Sequence, residues 1–210
     1  MMRLIILGAG GHAQVCAEIA SASGAFASVC YCDNELKKGS ELAGGTVRFT
    51  DSDLPVLASD EYQAFVGVGF VMNPSLRIRL YEYVRDLGFG FPVLTSRTAH
   101  LSDTASIASG TMIGHMAVIN TAAEVGTNCI INSNAVVEHN AYVGDHVHIS
   151  TGAVVNGEAR VGDRCMLGSH ATVNHGIEIC ADVVVGSGAV VVQNIDEPGV
   201  YVGVPARKLR

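Results

Sequence analysis

The segment INSNAVVEHNAYVGDHVHISTGAVV, residues 131–155, places an aliphatic residue at every sixth position. A period of six fits neither an α-helix, at 3.6 residues per turn, nor a flat strand, at 2.0. It is typical of a parallel β-helix built from hexapeptides. The same period runs unbroken through sixteen positions: Leu101, Ile107, Ile113, Ile119, Val125, Ile131, Val137, Val143, Ile149, Val155, Val161, Leu167, Val173, Ile179, Val185 and Val191.

The residue two places before each aliphatic position is small or medium in size, as in Ala117, Ala135 and Ala153. One large and one small inward side chain per hexad fill a triangular prism with three hexads per turn. We therefore predict a left-handed parallel β-helix of hexapeptide repeats over roughly residues 101–196, about five coils long.

The N-terminal part of the chain alternates predicted strands and helices instead. Its predicted elements are strands at 3–7, 28–32 and 65–69, and helices at 12–23 and 74–88, with Asn73 as N-cap and Gly88 as C-cap. Parallel βαβ units follow from this order. We expect a Rossmann-like α/β half-domain over residues 1–92, followed by the β-helix domain and a C-terminal tail over residues 93–210.

Composition narrows the partners and the compartment. The 210 residues are 49% apolar and carry a net charge of -7, which disfavours nucleic acid as a partner. No apolar run approaches the roughly 20 residues of a membrane span, and the apolar N-terminus is interpreted as a strand, not a signal peptide. None of the six cysteines forms a CxxC pair, which disfavours a zinc knuckle and indicates a reducing cytoplasm.

A glycine-rich turn follows the first predicted strand. Gly8-x-Gly10-x-x-Ala13 matches the G-x-G-x-x-G/A pattern, and Asp33 lies 20 residues beyond Ala13 at the end of the second strand. Backbone N–H groups and the helix dipole would hold a phosphate there, and Asp33 would bind a ribose hydroxyl. His12 in the same turn suits a pyrophosphate-linked sugar as well as NAD, and a purely structural turn is the remaining alternative.

Residues 18 apart stack on adjacent coils of the predicted prism. Thr121, His139, Gly157 and His175 form one such column, and Gly157 leaves an open notch beside His139. Glu138 places an acid next to this histidine. Because histidine titrates near neutral pH, His139 is a candidate general base; a plain surface histidine is the alternative.

His148 lies nine residues after His139, half a coil away, and therefore points to the opposite side of the prism. The two would converge only across a side-by-side interface between subunits. Flat prism faces rich in apolar and small residues favour such packing, most simply as a homotrimer with active sites between subunits.

A metal site is a second possibility for these histidines. His170 and His175 are five apart, a pair that resembles the γ-class carbonic anhydrases, which use the same β-helix. Their third ligand lies about two coils earlier, where this chain has Asn134. Two imidazoles without a third ligand make a poor zinc site, so we expect no metal.

Several motifs together resemble the bacterial nucleotide-sugar acetyltransferases with left-handed β-helices. The motifs are GAGGH at 8–12, CDN at 32–34, Asn73 with Arg77, VEH at 137–139, HVHIS at 146–150 and GVPAR at 203–207. The chain is most similar to the UDP-4-amino-sugar N-acetyltransferases of bacillosamine-type pathways, and it also resembles perosamine N-acetyltransferases and sialic acid O-acetyltransferases. The resemblance covers nearly the whole chain.

The resemblance implies a role for each matching residue. His139 and Glu138 would be catalytic, with His148 near the acetyl carbonyl. Acetyl-CoA would lie along the prism between two subunits. The implied substrate-binding residues are Gly8, Gly10, Gly11, His12, Asp33, Asn34, Asn73, Arg77 and Asn132; the implied cofactor-binding residues are His148, Gly157, Gly186, Ser187, Gly188, Arg207 and Lys208.

Two departures from the family pattern bear on the site. Asn140 follows His139 where relatives often carry an acid, and Ser187 stands where glycine is common. We expect direct transfer of acetyl from acetyl-CoA to the 4-amino group of a nucleotide-linked sugar, with UDP as the expected nucleotide. The alternatives are acetylation of a sugar hydroxyl, a metal-dependent hydratase and a non-catalytic nucleotide-binding scaffold.

Overall fold

The computed structural model describes residues 1–57 and 61–209, and the chain divides into two units, Met1–Arg97 and Thr98–Arg210. The first unit contains strands β1 (Arg3–Leu7), β2 (Ser28–Cys32), β3 (Glu41–Leu42), β4 (Gly45–Phe49), β5 (Tyr62–Val66) and β6 (Leu94–Thr95), helices α1 (Gly11–Ser23) and α2 (Ser75–Asp86), and a 3-10 helix (Asp51–Val56). One sheet has the order β3-β4-β2-β1-β5. All its pairings are parallel except that of β3 with β4, which confirms the α/β class.

The boundaries of strand β5 and of helix α2 differ from the sequence-based expectation. Strand β5 begins and ends three residues before the apolar run 65–69 that predicted it, because Arg3 of β1 pairs with Tyr62. The strand ends before Gly67, where a Cβ would lie 2.7 Å from the Cβ of Ala13 in α1. Helix α2 begins at Ser75, one residue later than expected, with Pro74 instead of Asn73 as its N-cap and Leu87 instead of Gly88 as its C-cap.

The second unit repeats two-residue strands on three parallel stacks. The first stack holds β7 (His100–Leu101), β10 (Val118–Ile119), β13 (Val136–Val137), β16 (Val154–Val155), β19 (Thr172–Val173) and β22 (Val190–Val191). The second holds β8 (Ser106–Ile107), β11 (Glu124–Val125), β14 (Tyr142–Val143), β17 (Arg160–Val161) and β20 (Glu178–Ile179). The third holds β9 (Met112–Ile113), β12 (Ile130–Ile131), β15 (His148–Ile149), β18 (Met166–Leu167) and β21 (Val183–Val185), continued by β23 (Gly199–Val202) and its antiparallel partner β24 (Arg207–Lys208).

The register confirms the predicted β-helix. Ile119 pairs with Val137 and Val137 with Val155, so each coil takes 18 residues. From Ile113 to Val191 the aliphatic positions and the small residues two places before them form one continuous buried core. Full burial of a Val or Ile side chain stabilises the folded state by roughly 1.5–3 kcal/mol. Because the period is uninterrupted, every coil of the β-helix gains stability from such buried residues.

The corners between stacks use left-handed backbone at one residue per turn. Asn128, Asn134 and Asn140 occupy such positions, with φ between 55° and 58°. Asparagine tolerates this region better than most residues. The corners therefore hold a fixed backbone geometry while their side chains remain available for other chemistry.

Candidate active site

The glycine-rich turn of the α/β unit opens on a cavity of about 320 Å³. Gly8 has φ +87° and faces Val68, whose Cγ2 would lie 2.9 Å from an added Cβ, so glycine is required there. Gly10 is the N-cap of α1, and an added Cβ at Gly10 or Gly11 meets nothing within 4 Å. The turn therefore leaves room above the N-terminus of α1, where backbone N–H groups favour an anion. The cavity brings together Gly8, Gly10, Asp33 and Asn34 from the predicted set.

The polar side chains of this cavity also hold their own loop. Oδ1 of Asp33 accepts hydrogen bonds from the backbone N–H groups of Glu35 and Leu36, both at 2.9 Å. Asn34 and Asp51 form a reciprocal pair, with the Asn34 amide donating to Oδ2 at 2.7 Å and its oxygen accepting from the Asp51 N–H at 3.0 Å. The loop after β2 is thus fixed before any ligand arrives.

His12, Asn73 and Arg77 do not line this cavity. The Nε2 atom of His12 lies 3.6 Å from Sγ of Cys16, and Asn73 Oδ1 accepts from the Ser75 N–H at the start of α2. Arg77 is fully buried, and its Nη1 donates to the carbonyl oxygens of Val66 and Val68 at 2.6 and 2.9 Å. Arg77 is therefore held inside the α/β unit next to the end of β5, because a buried guanidinium needs these acceptors.

In the β-helix, the column predicted around His139 is confirmed. His139 follows β13 and is exposed, and its Nδ1 lies 3.1 Å from Nδ2 of Asn140. With the amide nitrogen facing Nδ1, Nδ1 accepts and Nε2 carries the proton. Rotating the amide by 180° brings its oxygen to Nδ1–H and leaves the lone pair on Nε2, the form that a general base needs.

Gly157 does not leave the empty notch that its spacing predicted. A Cβ at Gly157 would lie 2.7 Å from both Nε2 and Cε1 of His139, and 3.2 Å from Nδ1 of His175. The two imidazole rings occupy the space, with their centroids 6.4 Å apart. Gly157 therefore serves to let the rings approach, and the Nε2 edge of His139 faces it.

The two acidic residues near these rings have different partners. Oε2 of Glu138 accepts from the amide of Asn120 at 3.0 Å and from the backbone N–H of His139 at 3.2 Å. Glu158, which follows Gly157, has Oε2 3.6 Å from Nε2 of His175. Sequence reasoning overlooked Glu158, although its position 18 residues after Asn140 assigns it to the column of Asn140, directly beside that of His139.

His148 lies in β15 of the third stack and is 8% exposed. Its Nε2 lies 3.4 Å from Nδ2 of Asn132, so two predicted site residues do meet there. His139, in contrast, lies at the corner between the first and second stacks. Within one protomer the two histidines belong to different parts of the prism, as their spacing predicted.

Some of the groups predicted to bind CoA near the C-terminus already form hydrogen bonds within the β-helix. The N–H of Gly186 donates to the Tyr201 carbonyl at 2.8 Å, and that of Gly188 donates to the Ser169 carbonyl at 2.9 Å. These N–H groups close the coil and do not point to a ligand, whereas Ser187 between them is exposed. Lys208 pairs with Glu197 at 3.0 Å, and Arg207 donates to the carbonyl of Ala206; both line a groove of about 150 Å³.

The pair of histidines considered as metal ligands is divided between two corners. His170 follows β18 and packs over Gly152, whereas His175 follows β19. Across residues 1–57 and 61–209, no group of three or more His, Cys, Asp or Glu side chains is placed to hold a metal ion. Over the same residues, no helix has the length and apolar character to cross a membrane.

Comparisons with known proteins agree with this architecture. The PglD N-terminal domain family matches residues 3–84, and the hexapeptide repeat of succinyl-transferase matches residues 158–193. The acetyltransferase domain of PglB from Neisseria gonorrhoeae FA1090 is 30% identical with a TM-score of 0.93, and the match covers 100% of both chains. The same domain in complex with acetyl coenzyme A is 31% identical over 99% of this chain and 98% of that one, with a TM-score of 0.91.

PerB from Caulobacter crescentus, solved with CoA and GDP-perosamine, is 30% identical with a TM-score of 0.89, over 100% of this chain and 98% of that one. WeeI from Acinetobacter baumannii AYE, at 22% identity and a TM-score of 0.88, shows the same fold over 100% of both chains. The chain therefore belongs to the bacterial nucleotide-sugar acetyltransferase family that joins a PglD-type α/β domain to a hexapeptide-repeat β-helix, and it is an acyltransferase.

Proposed function

We propose that this chain transfers the acetyl group of acetyl-CoA to the 4-amino group of a nucleotide-linked amino-deoxy sugar, with UDP as the expected nucleotide. The observation that carries the proposal is the exposed imidazole of His139, held at Nδ1 by Asn140 with its Nε2 edge turned to Gly157. Supporting it, relatives at 30–31% identity along their whole length were solved with acetyl-CoA, or with CoA and GDP-perosamine. Acetyl-CoA is the donor proposed here, and GDP-perosamine is a nucleotide-linked sugar like the proposed acceptor.

The chemistry follows from the groups present. An amine attacks a thioester only as the free base, so Nε2 of His139 takes the amine proton as the N–C bond forms. The C–S bond then breaks, and the departing CoA thiolate takes up that proton. His148, paired with Asn132, is the side chain proposed to face the acetyl carbonyl; a hydrogen bond to an oxyanion is typically worth ~3 kcal/mol.

Direct transfer is proposed over a covalent acyl-enzyme. Burial raises the pKa of the Cys16 and Cys165 thiols to about 12, so neither is a thiolate at neutral pH. Burial also raises the pKa of Cys180. We expect initial-rate lines that intersect as both substrates are varied; parallel lines, the pattern of ping-pong kinetics, contradict direct transfer.

Each unit supplies one part of the proposed binding. In the α/β unit, the cavity at Gly8, Gly10, Asp33 and Asn34 would take the nucleotide, with a phosphate at the N-terminus of α1. In the β-helix, Arg207 and Lys208 would meet the phosphates of CoA. The Lys208–Glu197 pair is exposed and therefore screened by solvent, so a phosphate would displace Glu197 at little cost.

A homotrimer with active sites between subunits is part of the proposal. The outward residues of the first stack include Val118, Val136 and Val154 on successive coils, and Val190 beyond Thr172; these valines are half-buried and lie along one face of the prism. Such a stripe favours packing against a second copy. Light scattering tests the proposal: we expect three times the 21.9 kDa chain mass, and a monomer at micromolar concentration contradicts it.

Thiol release from acetyl-CoA tests the activity, with UDP-, GDP- and dTDP-linked 4-amino-6-deoxy sugars as acceptors beside free sialic acid. Turnover with one 4-amino nucleotide sugar supports the proposal and identifies the nucleotide. Turnover with sialic acid alone shows acetylation of a hydroxyl instead. If the protein binds acetyl-CoA but releases no thiol with any of these acceptors, the proposed acceptor is wrong.

A further inference from the structure

A second imidazole stands next to the proposed base. Nδ1 of His175 and Nε2 of His139 both flank Gly157, at 3.2 and 2.7 Å from the point where a Cβ would lie. On its other side, Nε2 of His175 is 3.6 Å from the carboxylate of Glu158. An acid, an imidazole and the proposed base therefore lie together on three successive coils of the same corner.

A protonated His139 would be stabilised by a nearby negative charge, and the groups around its ring differ in whether they provide one. Asn140, on its Nδ1 side, is neutral and provides no negative charge for an imidazolium. Glu138 is negative, but its Oε2 binds the backbone N–H of His139 and the amide of Asn120, not the ring. On the Nε2 side the charged and titratable groups are His175 and Glu158. The negative charge on that side belongs to Glu158, and the ring of His175 contacts Glu158 on one side and faces His139 on the other.

We propose that His175, held by Glu158, is a positioning residue that stabilises His139 when it carries the proton of the acceptor amine. This inference rests on the proposed function. With the Nε2–H of His175 directed at the Glu158 carboxylate, its Nδ1 presents a lone pair toward Gly157, beside the Nε2–H of a protonated His139. The pair supplies the electrostatic support that an acid at position 140 would otherwise give.

The arrangement also explains the glycine between the rings. Any side chain at position 157 would separate the two imidazoles, since a Cβ there already contacts both. Stacked columns elsewhere on the prism carry side chains at the matching positions, as Asp145 and Asp163 do. The absence of a side chain at Gly157 is therefore needed for His175 to lie beside His139.

The test uses Glu158→Gln and His175→Asn in the full-length enzyme, with the acceptor found by the thiol-release panel. For Glu158→Gln we expect kcat to fall about 3- to 10-fold, while KM for both substrates stays within about twofold. The acidic limb of the kcat–pH profile should move to lower pH, because losing a negative charge weakens proton uptake by the base. Glu158→Asp should retain most of kcat. The matched control is Glu124→Gln, an exposed glutamate of the second stack, expected to match wild type.

Coupling separates this role from a structural one. Because Glu158 acts through His175, the double variant Glu158→Gln/His175→Asn should be no slower than His175→Asn alone. Additive losses, or an unmoved pH profile with raised KM, overturn the proposal. If both single variants match wild type while His139→Ala is inactive, the inference fails and the proposed function stands. If His139→Ala keeps most of its kcat, the proposed role of His139 itself is wrong.

Discussion

Two corners of the β-helix share one backbone design and use it differently. The histidine corner lies between the first and second stacks, at residues 138–140, 156–158 and 174–176. The aspartate corner lies between the second and third stacks, at residues 126–128, 144–146, 162–164 and 180–182. Both place a residue with left-handed φ at the turn, at 56° for Asn140 and 58° for Arg164.

The side chains of the aspartate corner hydrogen-bond to the backbone or to a side chain of a neighbouring coil. Oδ1 of Asp145 accepts from the N–H of Thr127 at 2.6 Å, and Oδ1 of Asp163 accepts from the N–H of Asp145 at 2.9 Å. Arg164 and Asp182 form a two-pronged pair at 2.8 Å. In the histidine corner the exposed rings of His139 and His175 face a glycine instead. The comparison teaches that side-chain partners, and not the backbone, distinguish the corner that stabilises the coil from the corner proposed to react.

The largest expected effect comes from removing the proposed base. His139→Ala should lower kcat by about 10²- to 10⁴-fold, the usual contribution of a general base. Because His139 is exposed and outside the core, its melting temperature should match that of wild type. Steady-state kinetics and a thermal melt measure both effects. A variant with most of its kcat intact contradicts the assignment.

The same substitution at one glycine in each corner sharpens the comparison. Gly157→Ala pushes a Cβ against His139 and His175, and a ring displacement near 1 Å can cost about 10²-fold in rate. The exposed rings can move aside, so we expect kcat to fall about 10- to 100-fold with little change in the melting temperature.

Gly126→Ala is the matched control for Gly157→Ala. Its Cβ would lie 2.6 Å from the backbone carbonyl of Gly144 on the next coil, which cannot move aside without opening the stack. Overpacking of this kind costs about 1–3 kcal/mol, so we expect a lower melting temperature and normal kcat for the folded protein. Equal loss of activity in both variants would remove the distinction between the corners.

Introducing an acid beside His139 should raise the rate of the proposed reaction. Asn140→Asp keeps a residue that tolerates left-handed φ, and its carboxylate accepts from Nδ1–H, which leaves the lone pair on Nε2. We expect kcat at neutral pH to rise up to about 10-fold and the acidic limb of the profile to move to higher pH. Unchanged kinetics would show that the tautomer of His139 does not limit the rate.

The smallest effect is expected in the aspartate corner. Arg164→Gln should cost about 0.2–1 kcal/mol of stability, the range for exposed ion pairs, without changing kcat. Hydrogen bonds from Arg164 lower the pKa of Asp182. The pair therefore contributes fully above the ordinary aspartate value near 3.9 and is lost as pH falls through the lowered pKa. Thermal melts of both proteins at pH 7 and below pH 3 should differ at neutral pH and converge in acid.

Much of the fold was predictable from local pattern. The six-residue period required a β-helix because a large and a small side chain must point inward in every hexad, and the observed register of 18 confirms it. The cavity residues Gly8 and Asp33 were also predictable, since a tight turn between a strand and a helix permits few residue types. The burial of Arg77 and its bonds to the carbonyls of Val66 and Val68 were not predictable from spacing, and its role in substrate binding stays a prediction.

By itself the sequence determined the α/β unit, the prism and the membership of His139 and His175 in one column, because periodicity in the chain translates directly into stacking in space. Only the tertiary structure decided that two imidazole rings fill the space beside Gly157. It also decided that Glu138 accepts from a backbone N–H whereas Glu158 faces His175. The roles of the Gly186 and Gly188 N–H groups in closing the coil likewise came from the structure. These are contacts between side chains and backbone on neighbouring coils. Their partners depend on rotamers and distances of a few ångströms, which residue spacing does not specify.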